Sequence, residues 1–214
     1  RGATVGHAVL AICGEAMRSY LASFGEASDE PLQAMLAVNV RNAGAHALIG
    51  NHIAVSQVPL HTDLDFPIQR LQAICATHPE LSNVEADELT SFRLRSLYEN
   101  LPAPLLAWLG RTANRENSVH RGVLSAGNCG VSEMIGSDKP LYMLGARLIG
   151  FTGIQPLFSG CGLMFTSSTY CDQIGLTFVS DKTKLPDPLV MRRCVDEAVA
   201  QVERYLRDSK NKTA

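Results

Sequence analysis

The sequence predicts an α/β (α+β) chain, a mixed β-sheet with helices packed on it. Three patterns lead there. Apolar residues recur at helical spacing near both ends of the chain, and strand-like and helix-like runs alternate through the first half. A series of Gly-punctuated runs rich in Val, Ile, Phe, Thr and Tyr then fills the second half. With 214 residues, 46% of them hydrophobic and 19% charged, the chain can bury one sizeable core, and no repeat or linker interrupts it.

From Thr4 to Phe24, the residues Val5, Val9, Ile12, Ala16, Tyr20 and Leu21 mark an amphipathic helix, with Thr4 as N-cap and Gly25 as the stop. Leu32, Ala34, Leu36, Val38 and Val40 alternate as in a strand, and Asn51 to Leu60 reads as a second, linked by a loop at Arg41-Asn42-Ala43-Gly44-Ala45. Asp65-Phe66-Pro67 opens a helix capped by Asp63 or Asp65; Ile68, Leu71, Ile74 and Cys75 form its buried stripe, and His78-Pro79 ends it. Glu85 to Gly110 reads as two helices divided at Pro102-Ala103-Pro104, and Thr112 to Ser118 as a polar loop.

Val119–Val131, Leu141–Phe151, Gly162–Tyr170 and Gln173–Ser180 read as successive strands, the last two joined by a hairpin turn at Tyr170-Cys171-Asp172-Gln173. After Pro186-Asp187-Pro188 a closing helix carries Val190, Cys194, Val195, Ala198, Val202 and Leu206 inward. One domain is therefore expected over residues 1–208, with 209–214 a disordered basic tail.

A net charge of -2 and a pI near 6.3 leave no basic field for nucleic acid or an anionic bilayer. No apolar run reaches the roughly 20 residues of a membrane span. The chain opens at Arg1-Gly2 with neither initiator Met nor signal peptide, so a piece of a longer protein is expected. Cysteines 13, 75, 129, 161, 171 and 194 form no CxxC pair, which suits buried thiols in a reducing compartment rather than a metal site.

Self-contained catalysis would need a constellation that is missing: there is no GxSxG elbow, P-loop, GxGxxG after a strand, or HExxH. His61-Thr62-Asp63-Leu64-Asp65 could be drawn as a base or metal site, but a helix cap is the simpler account. Cys129, Cys161 and Cys171 with His120 could be a Cys-His arrangement, although no activating neighbour is visible. Gly127, Gly130 and Gly136 fit a bulge or tight turn better than a phosphate cradle.

Several stretches, taken together, resemble the C-terminal domain of the bacterial wax ester synthase/diacylglycerol acyltransferase family. Ala3-Thr4-Val5 through Ala11 is similar to a family helix beginning Thr-Val-Asn-Asp-Val, and Val38-Asn39-Val40-Arg41 to its Pro-Val-Ser-Val-Arg. Gly50-Asn51 with Val58-Pro59-Leu60 resembles a family strand that starts Gly-Asn and closes in Leu-Pro, and Asp65 to Ile74 its Asp-Pro-x-x-Arg-Leu-x-x-Ile helix. Pro140-Leu141-Tyr142, Gly145-Ala146, Gly160-x-Gly162-Leu163, Ser168-x-Tyr170, Asp181 and Leu185-Pro186-Asp187 follow in the family's order and spacing.

The resemblance implies a chloramphenicol acetyltransferase-like fold, the second of two domains that face each other across a tunnel. It implies that a His-His-x-x-x-Asp-Gly motif in the first domain supplies a base that deprotonates an alcohol, whose oxygen attacks the thioester of acyl-CoA. The expected partners are that N-terminal half, acyl-CoA and a lipid alcohol, either a fatty alcohol or diacylglycerol, and no cofactor beyond the acyl-CoA substrate. No His-His pair occurs in this sequence, so no catalytic residue is assigned to it and the chain alone is expected to be inert. The resemblance also implies a cytoplasmic protein working at the membrane or lipid-droplet surface.

His7, Asn51, Ser132 and Gly136 are the implied substrate-tunnel positions. Two departures stand out: Gly6-His7 replaces the family's Asn-Asp, and Ser132-Glu133-Met134-Ile135-Gly136-Ser137 replaces its Ser-Asn-Val-Pro-Gly-Pro. They leave room for a second reading, a catalytically degenerate lipid-binding or interaction module of the same fold.

Overall fold

Thr4 begins the first helix, α1 (Val5–Ser23), because its backbone is extended (φ -93°, ψ 171°) and its hydroxyl accepts a hydrogen bond from the His7 N–H. In return His7 Nδ1 accepts from the Thr4 N–H at 3.0 Å, completing a capping box with histidine where glutamate or glutamine is usual. Since Nδ1 is the acceptor, Nε2 carries the proton, and it donates to the His78 carbonyl at 2.8 Å.

The computed structural model describes residues 3–26, 30–39, 53–78, 101–113, 127–157 and 161–211. After α1 come β1 (Gln33–Asn39), β2 (Ile53–Pro59), α2 (Pro67–Thr77), α3 (Ala103–Ala113), β3 (Cys129–Ile135), β4 (Tyr142–Met143), β5 (Ala146–Arg147), β6 (Leu163–Tyr170), β7 (Gln173–Ser180) and α4 (Pro188–Asn211). One mixed sheet runs in the order β2-β1-β3-β6-β7, with β1, β3 and β6 parallel and the outer strands antiparallel. The predicted mixed sheet with packed helices is what forms.

The helices α1, α2 and α4 gather on one face of this sheet. Val9, Leu10, Ala16, Leu71, Ile74, Met191 and Val195 meet Ala34, Leu36, Val58, Val131, Leu163 and Phe165 there. Because side chains alternate along a strand, Met35, Gly130, Met164 and Val179 occupy one rank on the opposite face. Gly130 lies against the Met164 side chain, where a Cβ would collide with the sulfur.

Several expectations need correcting. The strand predicted over 141–151 is a two-residue pair, β4 with β5, followed by an extended run that joins no strand. Its carbonyls are taken instead by side-chain hydroxyls: Tyr170 Oη donates to Leu148 O at 3.0 Å and Ser168 Oγ to Phe151 O at 3.0 Å. Neither Asp63 nor Asp65 caps α2, whose N-cap is Phe66 with no side-chain hydrogen bond. Asp65 pairs with Arg18 of α1, an ionic partner that local capping rules ignore.

The closing helix runs through Asn211 into the predicted tail, and residues 212–214 lie outside the described set. Leu206 is 48% exposed, while Met191 takes a core place at 1%. The helix predicted over 85–100, the loop at 41–45 and most of the strand at 119–131 and loop at 112–118 lie outside the described residues; α3 runs on to Ala113 and β3 starts at Cys129.

Sequence periodicity also gives no warning of Arg70, which is 0% exposed in the middle of the α2 stripe. Its guanidinium donates to Glu15 Oε2 of α1 at 2.6 Å, to His61 O at 3.0 Å and to Leu64 O at 2.6 Å. Gly14 leaves the room this needs, because a Cβ there would sit 2.7 Å from Leu60 O and 2.8 Å from Arg70 Cδ.

Two outcomes follow from this layer. Arg70→Met strands the Glu15 carboxylate and is expected to cost about 3–5 kcal/mol of unfolding free energy, most of it recovered in Arg70→Met/Glu15→Leu, as urea denaturation would measure. Burial, with His61 and His7 nearby, lowers the pKa of His78. The unfolded chain therefore binds this proton at a higher pH than the folded one, so the contribution is intact above about pH 6.5 and is lost as the pH falls through the folded value. His78→Gln keeps the carbonyl that His7 uses and is expected to flatten the fall of the urea midpoint between neutral and acid pH.

Candidate functional site

The alternation that buries Val131 against the helices turns Ser132 to the other face of the sheet, in register with Thr166 and Thr177. That face is covered by the extended run after β5. Thr177 Oγ1 donates to Gly153 O at 3.2 Å, and Gly153 sits against Thr166 and Met134 so closely that a Cβ would collide with both. Gly136 ends β3 with its N–H on Thr169 O at 2.9 Å, and a Cβ there would run into that carbonyl and the Phe151 ring. The glycine is required by close approach of two chain segments.

The four positions singled out in the sequence are thus not brought together. His7 belongs to the helical layer, fully buried and bonded through both ring nitrogens, while Ser132 lies across the sheet from it. Ser132 lies in β3 and Gly136 directly follows that strand, and Asn51 lies outside the described residues. Of the imagined Cys-His arrangement, Cys129 and Cys161 are buried, and burial pushes the Cys129 thiol far up. Cys171 sits at positive φ (50°) in the tight β6–β7 turn, and His120 lies outside the described residues.

On the helix-facing side the next rank beyond Val131 and Phe165 is Glu133, Ser167 and Leu176, and beyond it Ile135, Thr169 and Ile174. Ser167 is 0% exposed and its hydroxyl has no hydrogen-bond partner among the described residues. Glu133 stands beside it on the neighbouring strand, exposed to solvent, and partial desolvation by its neighbours raises its carboxyl pKa. Ile135 is 83% exposed. Alternation from Val131 puts Glu133 on the helix-facing side of β3, at the end where that side is open to solvent.

Around the same end of the sheet the chain exposes an apolar hairpin. Tyr170 Oη accepts from the Leu141 N–H at 2.8 Å and so clamps its base. Leu144 (φ 50°) and Gly145 (φ 83°) make its two-residue turn. Leu141, Tyr142, Met143, Leu144, Leu148 and Ile149 are all exposed along it. An apolar surface of this kind on a rigid, hydrogen-bonded frame marks a contact site. Among the described residues no helix is long and apolar enough to cross a membrane.

Comparisons with known proteins agree with this architecture. Residues 49–203 match the WS/DGAT C-terminal domain family. The chain is similar to the O-acyltransferase WSD of Acinetobacter baylyi, 27% identical over 187 residues that cover 86% of this chain and 38% of that protein. Its fold is that of the wax ester synthase/diacylglycerol acyltransferase from Marinobacter aquaeolei VT8, with a TM-score of 0.66 at 23% identity over 95% of this chain and 44% of that one. The chain therefore spans about two-fifths of the length of these relatives. With a family match over residues 49–203, most of its length, the chain belongs to the C-terminal domain family of the wax ester synthase/diacylglycerol acyltransferases.

Proposed function

We propose that this chain is the C-terminal half of an O-acyltransferase that moves a long-chain acyl group from acyl-CoA to a fatty alcohol or diacylglycerol. The observation that carries this reading is the bare end of the sheet: Ile135, Ile174 and the hairpin residues Tyr142, Met143 and Leu144 are exposed in a chain about two-fifths as long as its relatives. Apolar side chains held out on a braced frame favour a cover, and burying each would contribute about 1.5–3 kcal/mol. The cover in this reading is the N-terminal half, and the space between the halves is the lipid-sized passage.

The division of labour follows from the side chains available. In this half His7 is held in a capping box and against a carbonyl, so the base that removes the alcohol's proton comes from the other half. The alcohol oxygen then attacks the thioester carbonyl, the C–S bond breaks, and the CoA sulfur leaves with the proton returned to it. Ser132 and Gly136 contribute wall, with Gly136 fixing where the hairpin leaves the sheet, and His7 supports that wall from the helical layer. Acyl-CoA is a substrate here and no cofactor is needed. The protein works in the cytoplasm, at the surface of a membrane or lipid droplet that supplies the acceptor.

Full-length protein is expected to form ester from palmitoyl-CoA and hexadecanol, and a well-folded full-length protein that makes none would overturn the reading. Leu144→Asp in the full-length protein is expected to cut that activity at least tenfold and to lower its melting temperature, since it places a charge in the buried contact.

A further inference from the structure

The extended run that crosses the face of the sheet opposite the helices is finished along one edge only. From Phe151 to Leu157 every second residue turns inward, with Gly153 buried, while Thr152, Ile154 and Pro156 are exposed. That period of two is strand geometry. The inward carbonyls are met, Phe151 O by Ser168 Oγ and Gly153 O by Thr177 Oγ1. Because successive peptide groups point to opposite edges, Thr152 and Ile154 direct their N–H and C=O groups away from the sheet. Neither they nor Gly150 has a backbone partner among the described residues. The run is a strand with one edge anchored and the other bare.

A bare edge is a template for another strand, and proteins guard free ones with charge, proline or a covering segment. Leu148 to Gln155 holds no charged residue and no proline, and Ile149, Phe151, Thr152 and Ile154 all favour strand conformation. Pro156 has no N–H to give, so it marks where pairing stops. Ile149 and Ile154 are largely exposed, which places apolar side chains along the same edge.

The neighbourhood chooses the partner. The run follows directly on the exposed hairpin at Tyr142, Met143 and Leu144, so a module that covers the hairpin lies beside this edge. The matching family is that of a C-terminal domain, and the chain spans about two-fifths of the length of its relatives. An N-terminal half in the same polypeptide is held near the edge at high effective concentration, which a second copy is not. We propose that a β-strand of the N-terminal half pairs with the free edge of residues 150–154, joining the halves by backbone hydrogen bonds beside the apolar hairpin contact. This rests on the reading of the chain as the C-terminal half of a two-domain enzyme. Main-chain pairing supplies affinity and direction, and Ile149 and Ile154 supply side-chain selectivity.

Amide hydrogen exchange on the full-length protein reads the pairing. The amides of Thr152 and Ile154 are expected to exchange about a hundredfold more slowly than in the unfolded chain, at a rate independent of protein concentration. Exchange close to the unfolded rate would overturn the proposal, and protection that fades on dilution would overturn it in favour of a second copy. Thr152→Pro removes an N–H that nothing among the described residues uses, and Phe151 before it already lies in an extended run, as a following proline requires. Its effect therefore reports the partner. It is expected to lower the melting temperature of the full-length protein by several degrees and to release the protection of Ile154, whereas Thr152→Val, which keeps the N–H, does neither. A Thr152→Pro protein that melts and exchanges like wild type, or an equal loss in Thr152→Val, would overturn the pairing. If the full-length protein makes no ester, the acyltransferase reading fails by itself, and the exchange pattern still decides whether the strand is paired.

Discussion

Arg70 and Glu15 form an ion pair removed from water, and the helical layer is built around satisfying it. Two opposite charges in the interior repay their desolvation only when their remaining hydrogen-bonding groups are also met. Arg70 does this by reaching Glu15 on α1 and two carbonyls, His61 and Leu64, in the turn that leads from β2 into α2. One side chain therefore fixes a helix, a turn and its own helix against one another. Gly14 is the geometric condition, since anything larger would meet Leu60 and Arg70. The neighbouring His7 contact to the end of α2 and the Arg18–Asp65 pair tie the same two helices at further points along their length.

With the helices fixed in this way, they cover one end of the sheet and leave the other uncovered. Cys129, Leu163 and Ala34 begin the parallel strands beneath the helices and are buried, whereas Ile135 and Ile174 at the far end are exposed. The asymmetry suits the proposed division of labour: one end carries the stability, and the other presents exposed apolar side chains. The opposite face is closed without a helix. An extended run crosses it, and the hydroxyls of Ser168, Thr177 and Tyr170 meet its carbonyls where a strand partner would otherwise do so. This holds the hairpin in a defined direction although it contributes little buried surface of its own.

Two of the positions singled out in the sequence have roles that the folded chain makes plain. At the start of α1, His7 performs a capping role and bridges to the carbonyl of His78 beyond α2, so the helix keeps its boundary. At the end of β3, Gly136 is required because chain segments touch there.

Hydrophobic period and turn chemistry sufficed for α1, β1, β2, α2, the β6–β7 hairpin and the start of α4, because each is decided by residues a few positions apart. Thr4, Pro67 and the turn at Cys171-Asp172 are local signals of that kind, and the family likeness rests on the same spacings. The short hairpin at 142–147, the fate of Asp65 and the burial of Arg70 were not legible, since each depends on a partner far along the chain: Tyr170, Arg18 and Glu15. The candidate site divides in the same way. Ser132 and Gly136 could be named from their strand, but which face each strand residue serves follows from where the helices settle. Only the folded sheet sets Glu133 beside Ser167, because pairing across 34 residues of chain is fixed by tertiary register rather than by local sequence.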